Sequence, residues 1–266
     1  MRIGVFDSGC GGLTVLRALM ERIPEADYLY LGDTARLPYG AKSRETVARY
    51  AASSAKFLVA EGAEFLVIAC NTASALALDA IRDAAAVPVL GVVETGANAA
   101  EVNSMTRDVM VMATAATVES HAYAAACTAR GLRVIEKACP LLVPLVEEGW
   151  IEHQVTAEVL RIYLAELMEE ARDAALNPDT LVLGCTHYPL LRAQIERAVP
   201  ETVRVIDSAA VTAAQVDRRL GSSRGAAGSA GTARFFATDS VTKFRSLGSR
   251  FLGRAMGSVD LVDLGS

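Results

Sequence analysis

The sequence predicts an α/β protein of two pseudo-symmetric domains, each a mainly parallel sheet flanked by helices. Three observations carry that expectation. Short β-rich runs alternate with longer amphipathic ones along the whole chain, the pattern of parallel strands with helices packed on their faces. Several of the runs are apolar at consecutive positions, as strands are when both faces are covered. The first half also returns, distantly, in the second. "IGVFDSGCGG" and "VMVMATAATV" each end an apolar strand in small polar residues ahead of a helix. Two strands later, "FLVIACNTAS" and "TLVLGCTHYPLL" each end an apolar strand on a cysteine. That register predicts two similar domains with their strand ends facing each other; one continuous doubly wound sheet is the simpler alternative. The expected boundaries are 1–97 plus 207–266 for the first domain and 98–206 for the second.

In chain order, strands are expected over Ile3–Phe6, Tyr28–Leu31, Phe65–Ala69, Val89–Val92, Val109–Met112, Arg133–Ile135, Leu181–Gly184, Val203–Ile206 and Arg234–Ala237. Each is rich in β-branched or aromatic residues, or is continuously apolar. Helical periodicity marks Leu13–Arg22, Ser43–Glu61, Ile151–Asp173 and Ala209–Leu220. Gly221–Gly231 ("GSSRGAAGSAG") reads as a flexible low-complexity linker. After it, "RFFATDSVTKFRSLGSRFLG" reads as a last strand and helix returning to a core.

Bulk properties narrow the function. With 266 residues and 52% apolar content, the chain can build substantial cores. A net charge of −5 without a basic run argues against nucleic-acid binding. The five cysteines (10, 70, 127, 139 and 185) include no CxxC pair, so neither a disulfide framework nor a zinc ribbon is expected. Reduced thiols fit a cytoplasmic setting better. The apolar stretch at the N-terminus is too short for a signal peptide, and no apolar run reaches membrane-spanning length, so no membrane association is expected.

The chemistry concentrates at strand ends, where open parallel sheets bind ligands. Cys70 and Cys185 are expected there, each opening a helix whose N-terminal N–H groups would stabilise a thiolate. Asn71, Thr72 and Thr186 can cap those helices or donate to a carboxylate without adding charge, and Pro189 suits the first turn of the second helix. Cys127 and Cys139 read as small buried hydrophobes, and the glycines around Cys10 point to a size constraint. Two thiols far apart in sequence do not resemble a redox pair. With only His121, His153 and His187 available, no zinc spacing appears either. Proton handling remains. Two groups of similar acidity on opposite sides of one carbon can invert it, with one ionised while the other is protonated.

Neighbouring residues suit that chemistry. Asp7, at the end of the first strand, can pair with an ammonium or orient and deprotonate Cys70. Glu147 and His187 are candidates to support Cys185 in the same way; His187 can equally be a packed histidine at the solvent edge. Thr114 and Thr117 lie i, i+3 at a helix start, where two hydroxyls can grip an anion. In "LGDTARLPYG", Tyr39 and Gly40 either form an ordinary Pro-Tyr-Gly turn or hold a distal carboxylate. The glycines after Asp7 lack the last Gly of GxGxxG, Thr14 standing in its place, and no GK[ST] exists. Four lysines (42, 56, 137 and 243) offer no evident Schiff-base site. A mechanism without cofactor follows as the expectation. The absence of Lys and Arg from the motifs is read as protecting the thiolate's basicity.

"IGVFDSGCGGLTVL", "YLGDTARLPYG", "VIACNTASA", "ATAATV" and "LVLGCTHYPLL", in this order and spacing, resemble glutamate racemase, over about Arg2 to Gly253. The resemblance implies two α/β domains with the active site in the cleft between them, and no pyridoxal phosphate or metal. It implies interconversion of L- and D-glutamate, supplying D-glutamate for peptidoglycan. By motif, Cys70 and Cys185 become the catalytic acid/bases, with Asp7 and His187 beside them. Ser8, Tyr39, Gly40, Asn71, Thr72 and Thr186 become substrate contacts together with Asp7 and His187, and Thr114 and Thr117 are additions. A homodimer is compatible with the resemblance, although no residue pattern fixes an interface. Cys10 and Leu37 stand where Val is commoner, and Ala113 where Gly is usual; the last could shift the Thr114 loop. An aspartate racemase, or a non-catalytic carboxylate-binding protein on the same frame, are the alternatives.

Overall fold

The computed structural model describes residues 1–221 and 231–265. The linker expected over 221–231 therefore falls largely outside the described residues. The chain divides into two compact units, Met1–Val92 with Ala209–Ser266, and Val93–Ser208.

In the first unit, β1 (Arg2–Asp7), β2 (Asp27–Gly32), β3 (Phe65–Ile68), β4 (Val89–Gly91), β9 (Ala233–Ala237) and β10 (Val259–Leu261) form one sheet in the order β10-β9-β2-β1-β3-β4. In the second, β5 (Asp108–Ala113), β6 (Arg133–Ala138), β7 (Thr180–Gly184) and β8 (Arg204–Asp207) lie in the order β6-β5-β7-β8. All pairings are parallel. The run β2-β1-β3-β4 thus has the same connectivity as β6-β5-β7-β8, which is the repeat visible in the sequence. Burial follows position. Every residue of β3, β5 and β7 is buried, whereas the edge strand β6 is only partly covered.

The first sheet carries α1 (Leu13–Arg22), α2 (Arg44–Ala60), α3 (Asn71–Leu76) and α4 (Leu78–Ala84), with α11 (Ser208–Leu220) and α12 (Val241–Leu252) from the C-terminal return. The second unit holds α6 (Ala115–Glu119), α7 (Ala122–Thr128), α8 (Leu142–Glu147), α9 (Gln154–Asp173) and α10 (Arg192–Ala198); α5 (Val92–Asn103) begins at the boundary. In the first unit, Val47, Ala51, Ala55 and Leu58 of α2 share a core with Phe6, Leu31, Leu66, Ile68 and Cys70. The helix contributes at a spacing of three to four and the strands at two, so each element turns one face to the same interior. A fully buried Leu such as Leu58 contributes about 2 kcal/mol by burial.

Three expectations are corrected. Ile151–His153 precede α9 because His153 caps it, its Nδ1 accepting from Val155 N at 3.1 Å. Pro189 lies not in an α-helix but in a short 3-10 segment, Tyr188–Leu191, and α10 begins only at Arg192. Finally, the strand at 234–237 is not the last. β10 follows it, a three-residue edge strand so exposed that no apolar run announces it.

Candidate active site

β3 delivers Cys70 to the start of α3, where the thiol is itself the cap: Sγ accepts from Ala73 N at 3.4 Å. Asn71 and Thr72, read as caps or as donors to a carboxylate, occupy the first turn of the helix and so are not its cap; both are buried. The Cys70 thiol also reaches Ser8 Oγ at 3.5 Å. Asp7, at the end of β1, is buried and accepts from Gly9 N at 2.9 Å. The turn that follows can close only because Gly12 lacks a side chain; a Cβ there would lie 2.6 Å from that of Asp7. Asp7, Ser8, Cys70, Asn71 and Thr72 are thus gathered at the carboxyl ends of adjacent strands.

The expected depression of the thiol pKa does not occur at Cys70. Burial, and then the negative charge of Asp7, push it up to about 12, outweighing the hydrogen bonds from Ala73 and Ser8. A capping N–H in a six-residue helix is a weaker influence than desolvation plus a neighbouring carboxylate. Around neutral pH, Cys70 is a thiol.

β7 delivers Cys185 to the equivalent position, but a turn follows in place of a helix. His187 supplies what the helix does not. It is buried, with Nδ1 3.9 Å from Cys185 Sγ and 3.5 Å from Thr186 Oγ1, and Nε2 3.2 Å from Glu147 Oε1. Burial opposes its charge, yet hydrogen bonds to Cys185 and Glu147 and their negative charges raise its pKa to about 10. It is an imidazolium at neutral pH, buried between Cys185 and Glu147. Tyr188 fixes the turn: its phenol donates to Ala113 O at 3.2 Å and Cys139 O at 2.9 Å, at the ends of β5 and β6. Thr114 caps α6, and its hydroxyl lies 2.9 Å from that of Thr117, so those two hydroxyls do converge at the end of β5.

Tyr39 needs a correction of another kind. Its phenol does not project as a donor but is buried and donates to Asp33 Oδ2. Asp33 also receives Arg36 Nε at 2.8 Å and Thr238 Oγ1 at 2.9 Å. The motifs are therefore not devoid of cations: Arg36 is present, with its charge met by Asp33. Asp33, Thr238 and Tyr188 were missed by sequence reasoning. The available signal for Asp33 was an acid directly after an apolar strand with Arg three residues on. Among the described residues, no three His, Cys, Asp or Glu side chains converge as they would around a metal ion, and no helix is long and apolar enough to cross a membrane.

Residues 9–216 match the family model for Asp/Glu/hydantoin racemases. That match, on two parallel α/β units, defines an amino-acid racemase. A glutamate racemase of Koribacter versatilis is 52% identical over 99% of this chain and 97% of its own length. Among solved structures, a glutamate racemase isoform of Bacillus anthracis is 37% identical with a TM-score of 0.91, covering 98% of this chain and 97% of that one. The Francisella tularensis glutamate racemase in complex with D-glutamate is 36% identical with a TM-score of 0.90, over 99% and 97%. The chain belongs to the Asp/Glu/hydantoin racemase family, among its glutamate racemases.

Proposed function

We propose that the enzyme interconverts L- and D-glutamate without a cofactor, moving the α-proton between Cys70 and Cys185. The supporting observation is the opposite electrostatic setting of two buried thiols at equivalent strand ends: a carboxylate beside Cys70 and an imidazolium beside Cys185. A two-base inversion needs one sulfur protonated and the other ionised, on opposite faces of one α-carbon. The His187 ring lies 3.9 Å from Cys185 Sγ and is held by Glu147 on its other side, while Asp7 favours the thiol at Cys70. The Cys185 thiolate removes the α-proton, and the Cys70 thiol delivers one to the opposite face. In the reverse direction, the Cys70 thiolate left by that delivery takes the α-proton and the Cys185 thiol returns one to the other face, the substrate ammonium offsetting the Asp7 charge that disfavours the Cys70 thiolate. Ser8, Asn71, Thr72, Thr114, Thr117, Thr186 and the Tyr39–Gly40 backbone are neutral donors for the substrate carboxylates. They stabilise the developing carbanion where water is excluded.

Glutamate is favoured over aspartate by the relatives named above, one of which holds D-glutamate. Supply of D-glutamate to peptidoglycan in the cytoplasm is the role this reading implies. Racemisation of L-glutamate in deuterated water tests it: D-glutamate carries solvent deuterium at Cα, and Cys70→Ala and Cys185→Ala each lose about 10³-fold or more in turnover. Product without deuterium, or an active double variant, overturns the two-thiol mechanism. Faster turnover of aspartate overturns the substrate and leaves the mechanism standing.

A further inference from the structure

We propose that Asp33 and Thr238 form a clasp that fixes the Leu37–Gly40 segment, and thereby the length of substrate side chain the enzyme accepts. The inference rests on reading that segment as facing the distal carboxylate of the substrate.

Asp33 is fully buried at the carboxyl end of β2. A buried carboxylate is tolerated only when its lone pairs are met by donors, and here the donors come from both sides of the segment. Arg36 and Tyr39 belong to the segment and its approach, while Thr238 comes from the end of β9, some two hundred residues away in sequence. The Thr238 hydroxyl has two tasks, donating to Asp33 Oδ1 at 2.9 Å and accepting from Ala35 N at 2.9 Å. Beside it, Thr34 Oγ1 donates to Asp239 O at 2.6 Å and accepts from Asp239 N at 2.8 Å. Asp33 N donates to Asp7 O at 3.0 Å, tying the clasp to the strand that carries Asp7 and Ser8. Tyr39 is held as well by its ring, between Phe6 and Tyr50, with the Arg36 guanidinium over Tyr50 at 4.5 Å.

Leu37 and Pro38, by contrast, are exposed. The segment is therefore pinned at its two ends and not along its length, and its ends are set by one carboxylate. Moving Tyr39 moves the Gly40 N–H. Asp33 and Thr238 act through the segment, as positioning residues.

Kinetics of Thr238→Val, Thr238→Ser and Tyr39→Phe with glutamate and aspartate test the clasp. Valine keeps the shape and loses both hydrogen bonds, while serine keeps both. Thr238→Val raises KM for glutamate about tenfold while kcat stays within about threefold, as expected for loss of a hydrogen bond to a charged group. The preference for glutamate over aspartate falls with it, and Thr238→Ser restores both. Tyr39→Phe, which preserves the ring packing, shifts KM and preference in the same direction and carries the test should Thr238→Val fail to fold. Variants with wild-type KM and preference, or a serine variant as impaired as the valine one, overturn the clasp. Where the wild type racemises glutamate and the variants are unmoved, only the clasp fails; where the wild type does not racemise glutamate, the substrate reading fails and takes the clasp with it.

Discussion

Cys70 and Cys185 sit at the ends of topologically equivalent strands, yet their surroundings have opposite sign. Cys70 caps a helix and faces Asp7; Cys185 enters a turn and faces an imidazolium backed by Glu147. The topology of the repeat has been kept while the charge beside the sulfur has been reversed. Two identical sites would tend to share one protonation state, which is useless for inversion. Under the proposed two-thiol mechanism, divergence between the halves is what would let one act as base while the other acts as acid.

The most severe way to break the contrast is to remove its positive side. His187→Gln is expected to lower turnover about hundredfold, the scale of losing an acid/base partner. The same variant reports on stability. The pKa of His187 is raised in the folded state to about 10, so its stabilising contribution is complete below the ordinary histidine value and disappears as pH rises through 10. The difference in Tm between wild type and variant should therefore shrink between those limits. A difference that grows with pH would mean the ring is buried neutral.

Removing the negative side is milder. In Asp7→Asn the charge that raises Cys70 is gone, so Cys70 ionises more readily. Its alkylation by iodoacetamide at pH 9, measured in a Cys185→Ala background, should quicken several-fold, about tenfold for each pKa unit relieved. An unchanged or slower rate would show that burial alone sets Cys70. Smallest is the effect of Tyr188→Phe, which releases the turn after Cys185 from the ends of β5 and β6. A stability loss of about 1 kcal/mol is expected from denaturant unfolding. No loss would mean the turn is held by packing.

The fold was legible because its strands are continuously apolar and its long helices periodic; β3, β7 and α1 are examples. β10 escaped because three mostly exposed residues carry no such pattern. At the site, the sequence placed Cys70, Asp7 and Cys185 at strand ends and named Glu147 and His187 as candidates beside Cys185, but not their contact with each other. It misjudged the electrostatics of Cys70: near-complete burial, a property of the folded arrangement and not of spacing, dominates, and Asp7 beside it disfavours the thiolate. It left Tyr39 open between an ordinary turn and a carboxylate contact, and could not show that its phenol is taken by Asp33, which is itself completed by Thr238 from far along the chain. A motif shows which side chains are present but not which of their atoms are already spent.

The C-terminal return that brings Thr238 to Asp33 also bears on the order of events during synthesis. β2 pairs with β1 on one side and β9 on the other, so until β9 has left the ribosome the nascent first unit carries a bare sheet edge, open to wrong partners. The second unit, continuous in sequence, has every strand it needs well before then. The unit that is started first is the one that is finished last.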